Sequence, residues 1–81
     1  MSEGGSMRQS RRSRLADWHA ERAASARLRA QNWQASIDRS RALDPPAHVA
    51  ADRADQARAF ALEEAAFHED AAALLEGYRG R

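Results

Sequence analysis

Eighty-one residues without a single cysteine describe one small domain that holds no disulfide, no zinc–thiolate site and no thiol nucleophile. The formal charge is only +1, yet it is divided: residues 1–43 stand at +5 and residues 44–81 at −4, with arginine supplying every basic side chain. No apolar run approaches the ~18 residues that a membrane span needs, and the lack of cysteine points to a reducing, cytoplasmic setting.

The hydrophobic fraction of 43% is mostly alanine, 20 residues of 35. About a dozen large apolar side chains remain, at ~1.5–3 kcal/mol for each one fully buried. They offset only part of an ordering cost of ~1.5 kcal/mol per residue. A lone chain of this composition has a thin core. One Val, one Ile and no Thr stand against a wealth of Ala, Arg, Leu, Gln and Glu. That balance predicts helices and no strands.

Residues 1–12 are rich in Ser, Gly and Arg and lack periodicity, so they read as a flexible basic tail. Met7, following Gly4-Gly5-Ser6, is a second candidate start. Ser13 is the expected N-cap of a first helix over about 13–43, a stretch free of Gly and Pro. Asp44-Pro45-Pro46 is the turn, because a residue before proline is pushed out of the helical region. A second helix is expected over about 46–77, with Asp44 as its cap and Gly77 in the left-handed position that follows a helix. Two matched helices joined by a tight turn make residues 13–81 an all-α antiparallel hairpin, in which facing residue numbers sum to about 90.

At 100° per residue the first helix gathers Leu15, Ala26, Trp33 and Ile37 on one face, with Trp18 and Ala30 beside them. The second helix carries two stripes. Val49, Phe60, Phe67, Ala71, Leu74 and Tyr78 form a bulky one. Ala54, Ala61, Ala65 and Ala72 form a small-residue seam about 120° round the helix. One hairpin partner covers one stripe, so the bulky stripe is expected inside. The alanine seam is then expected to hold a second copy in a four-helix bundle.

Three constellations bear on chemistry. Arg11, Arg22 and Arg29 project near Trp18 and Trp33, and the pairs Trp18–Arg22 and Arg29–Trp33 are four residues apart, close enough for a guanidinium to lie over an indole. The same interleaving, with Arg8, Arg11, Arg12 and Arg14, would suit the phosphates and bases of a nucleic acid. The competing reading places both tryptophans in the core and the arginines against the acidic second helix. Register favours it, setting Arg22 and Arg29 near Glu63, Glu64 and Asp70.

Glu64 and His68, four residues apart, are the best candidates for metal ligands, joined by Glu69 or Asp70. The Glu-x-x-His spacing of di-iron bundles is nevertheless missing, since Ala65 stands three before His68. No metal or other cofactor is therefore assigned. No nucleophile motif or phosphate loop is present, and a two-helix chain offers no pocket to shift the carboxylates. Leu28 and Leu62 lie off the main apolar faces and are candidate contacts for a protein partner. The expectation is a non-enzymatic homodimer presenting Arg11, Arg22, Arg29, Leu28 and Leu62 to a protein target, as an adaptor, chaperone or inhibitor. A nucleic-acid binder is the alternative, and a metal-binding bundle a weaker one.

Overall fold

A computed structural model describes residues 10–79. It contains two helices of 32 residues each, α1 (Arg11–Ala42) and α2 (His48–Arg79), packed as a hairpin. Among the described residues there is no strand, and no helix is long and apolar enough to cross a membrane. Each helix is ~48 Å long at 1.5 Å per residue.

Four boundaries depart slightly from expectation. Ser10, not Ser13, caps α1: its hydroxyl accepts from the Ser13 amide at 3.0 Å, while the Ser10 carbonyl accepts from Arg14 N–H at 3.0 Å. Both serines suit the role. Starting at Ser10 adds three residues to the helix and buries Ser13, so Arg11 and Arg12 belong to α1 rather than to a tail. At the other end, α1 stops at Ala42, with Leu43 already extended.

The prolines stay in the turn, and α2 starts at His48 rather than near 46. Pro46 disfavours a helical Pro45, as any proline does for the residue before it. Asp44 therefore caps nothing, and Ala47 stands at the helix start, its carbonyl accepting from Ala51 N–H at 3.0 Å. Ala47 N–H also reaches back across the turn to the Ser40 carbonyl at 2.9 Å. The Asp44–Pro45 peptide is cis. Gly77 does not adopt the left-handed conformation: α2 runs through it to Arg79 with no positive φ. Glycine permits that conformation without imposing it.

The larger departure is which stripe lies inside. α1 buries Ala16, Ala23, Ala30 and Ile37 at seven-residue spacing, with Ala26 in the row between. From α2, Ala51, Ala54, Ala61, Ala65 and His68 meet them at the same alternation of three and four. A 3.5-residue repeat on both helices is the signature of coiled-coil packing. Methyl groups on both sides let the two axes come near the lower end of the ~8–10 Å range for packed helices. The seam thus closes within one chain. Ala54, Ala61 and Ala65 are buried against α1 and Ala72 is half-buried, so they form no free surface for a second hairpin.

The bulky stripe is correspondingly outside. Leu15, Trp18, Trp33, Phe60, Phe67 and Leu74 retain between 41% and 68% of their exposure, and Ile37 is the largest fully buried side chain. Small residues occur in matching heptad phase on both helices, so this is the pairing that keeps contact along the full length. Trp and Phe at the seam would hold the helices apart.

The expected antiparallel register is present. His19 meets His68, Arg29 meets Glu64 and Arg27 meets Glu69, each pair summing to within six of 90.

Candidate interaction surface

Projection at 100° per residue divides the outside of the hairpin into two faces. Trp18, Arg22, Arg29 and Trp33 of α1 fall on the same side of the seam as Phe60, Glu64 and Phe67 of α2. Arg27, Glu69 and Leu62 fall on the other. Side-chain contacts agree with this division. Arg29 donates both terminal nitrogens to the two Glu64 oxygens at 3.2 and 3.0 Å, on the aromatic side. Arg27 makes a two-pronged pair with Glu69 on the opposite side, with one contact at 2.6 Å. These forks brace the two helices on either flank of the alanine seam, and planar two-point pairing is the geometry that arginine favours with carboxylates.

The aromatic face is organised around four rings. Trp18 stands edge-on to His19 and His68, with centroids 4.9 and 5.6 Å away. Phe67 stands edge-on to the same two histidines at 6.4 and 5.2 Å. Edge-to-face contact at these separations is favourable through the ring quadrupoles. The Arg22 guanidinium lies 5.5 Å from the Trp18 ring centroid, the cation–π pair expected from the four-residue spacing. Its Arg29–Trp33 counterpart is replaced by the ion pair of Arg29 with Glu64. His68 is buried, yet Trp18 and Phe67 remain about half and two-thirds exposed. A rigid base therefore carries an open apolar top.

Charge is tuned locally on both flanks. The Glu64 carboxyl is held below its ordinary value, first by the hydrogen bonds from Arg29, then by the charges of Arg29, Arg22 and His68, against some opposing desolvation. Glu69 is lowered in the same way by its hydrogen bonds and charge contact with Arg27.

The other expected contact residues are scattered. Arg11 lies at the open end of the hairpin, where with Arg14, Leu15 and Trp18 it lines a shallow, largely apolar groove. Arg12 is exposed on the same first turns, and Arg8 is outside the described residues. Leu28 is 57% exposed on the outer side of α1. Leu62 is half-buried on the opposite face beside Arg27, Gln31 and Gln34.

The ligand pair Glu64 and His68 is divided between Arg29 and His19, and among the described residues no group of three or more His, Asp or Glu gathers around a metal-sized space. No protein-family model, curated protein or solved structure matches the chain.

Sequence reasoning missed the His19–His68 contact, the Arg27–Glu69 fork and the place of Arg58. The first two follow from the register within one helical turn. Arg58 occupies a heptad position of the seam itself, with its Nε buried and unpartnered and one terminal nitrogen 3.4 Å from Asp55. Only the heptad phase of α2 would have revealed it.

Proposed function

We propose that the chain is a non-enzymatic helical interaction module that works as a homodimer, joined through the aromatic face rather than through the alanine seam. The observation that carries this reading is the exposure of Trp18, Trp33, Phe60 and Phe67 on one side of a hairpin whose seam is already closed by alanine. Four aromatic side chains of ~150–250 Å² each, about half exposed, offer roughly 400 Å² of apolar surface. That is half of the ~800 Å² that each partner contributes to a standard interface. Exposed apolar area of this size, interrupted by Arg22 and the Arg29–Glu64 pair, is typical of binding surfaces, which carry arginine among their aromatic side chains.

A second copy suits the face in charge as well as in shape. The basic α1 and acidic α2 of one hairpin complement the same two helices of another, related by a two-fold axis. Tryptophan and arginine side by side are the residues most enriched among those that dominate binding energy. Adaptor, chaperone or inhibitor roles would use the surface left outside the dimer, including Leu28.

Light scattering on purified protein tests the proposal. The native chain should have twice its monomer mass at micromolar concentration, and the double variant Phe60→Glu/Phe67→Glu should be monomeric yet still helical. A native monomer would refute the dimer. A double variant that keeps the dimer mass would show that another surface joins the copies. The groove of Arg11, Arg14, Leu15 and Trp18 supports nucleic-acid binding as a second reading, for which affinity should fall steeply with salt.

A further inference from the structure

The head-on meeting of His19 and His68 goes beyond this function and is independent of it. Their Nδ1 atoms are 2.8 Å apart across the seam, one from each helix, and the rings are tilted by only 35°. The ring centroids are 5.0 Å apart, close to the Nδ1–Nδ1 distance plus one ring radius at each end. The two nitrogens therefore point at each other. This is the geometry of an N–H···N hydrogen bond, not of two lone pairs converging on a metal beside them.

We propose that His19 and His68 hold a single proton between their Nδ1 atoms, and that this shared proton latches α1 to α2 until acid supplies a second one. With both rings neutral, one must be the Nδ1–H tautomer that donates and the other the Nε2–H tautomer that accepts. One added proton keeps the contact, since an imidazolium donates to a neutral imidazole. A second added proton puts hydrogen on both Nδ1 atoms, and two N–H groups do not fit into 2.8 Å. The rings must then part.

Charged groups of both signs surround the pair. On α1, Arg22 lies over Trp18, and Arg27 and Arg29 stand two to three turns on. On α2, Glu64 and Glu69 flank His68, each paired with its arginine, and the charge of His68 also acts on Glu64. What opposes the second proton is the 2.8 Å contact itself, which has room for one hydrogen. Water offers the separated rings a better place than the seam does, so the latch opens outward. Trp18 and Phe67 rest on these two rings, so opening the latch also disturbs the aromatic face. The device is a pH-sensitive clasp beneath an exposed apolar surface, a use for which histidine is the one side chain that ordinarily titrates near neutrality.

Long-range ¹H–¹⁵N spectra of the imidazoles read the latch directly. At pH 7.5 one ring of the pair should report the Nδ1–H tautomer and the other Nε2–H. As acid is added, the contacts between the rings should be lost in step with the appearance of the doubly protonated pair. Two Nε2–H tautomers at pH 7.5, or contacts surviving double protonation, would overturn the proposal. Thermal melts give a second readout. The native midpoint should fall by about 5 °C between pH 7 and pH 5, the shift expected from losing one modest contact in a domain of this length. His19→Leu/His68→Leu should be nearly flat over that interval. Exposed His48 is present in both proteins, so an equal slope in the double variant would refute the latch. Should that variant fail to fold, the tautomer spectra still decide.

Discussion

Alanine holds this hairpin together, and the smallest side chains therefore tolerate the least change. Ala26 and Ala65 have no measurable exposure, and each faces the opposite helix where the two backbones come close. Overfilling such a site forces the backbones apart, at a cost of typically ~1–3 kcal/mol. Ala65→Leu should lower the melting temperature of the dilute, unassociated hairpin. Phe60→Ser, at a site 68% exposed, should leave it nearly unchanged. Circular dichroism melts check both, and the reverse ranking would show that the bulky stripe is the true seam.

Residue size also explains what was hard to read. Both stripes of α2 recur at helical spacing, and hydrophobicity ranks Phe above Ala, so periodicity and apolarity alone place the phenylalanines inside. The cue that decides otherwise is shared phase: Ala16, Ala23 and Ala30 repeat by seven, as do Ala51, Arg58, Ala65 and Ala72. Trp and Phe never occupy matching rows on both helices. Pairwise correspondence between elements carried the information that either helix alone lacked.

At the scale of elements, the existence, length and pairing of the helices were legible, because Pro45-Pro46 is the only internal break and the composition admits no strand. The end positions moved by one to three residues, where rival caps such as Ser10 and Ser13 compete. Helix-to-helix electrostatics were half legible: Arg29–Glu64 lies in the expected register, whereas the Arg27–Glu69 fork was not foreseen. The two forks make a pH prediction. Glu64 and Glu69 have lowered values in the folded chain and ordinary ones, near 4.5, when unfolded. Their contribution to stability is therefore complete above that ordinary value and is lost as pH falls through the folded values. Both pairs are exposed, so the effect is modest and weakens with salt. In melts at low salt, the native chain should exceed Glu64→Gln/Glu69→Gln at pH 6, and the gap should narrow as pH falls below 4.5. A gap that stays constant as the pH is lowered would mean that the carboxylates act through something other than charge.

Considered whole, the molecule is a rod with a dry alanine seam, charged braces along both flanks and an aromatic face turned to the outside. A two-helix chain has too little volume to enclose Trp18, Trp33, Phe60 and Phe67 as well as its alanines. Closing the seam with alanine leaves the bulky residues exposed. The placement of these rings was obscure in the sequence because nothing within one helix says whether a bulky stripe faces its hairpin partner or the outside; in the proposed dimer they meet a second copy. Both tryptophans, Trp18 at 49% exposure and Trp33 at 41%, report on that surface.

The most direct test is tryptophan emission measured alongside molar mass as the protein is diluted through its association range. Burial of both indoles between two aromatic faces predicts emission at shorter wavelength for the dimer, shifting to longer wavelength in step with the fall to monomer mass. Emission that stays fixed while the mass halves would place the tryptophans outside the interface and contradict the account.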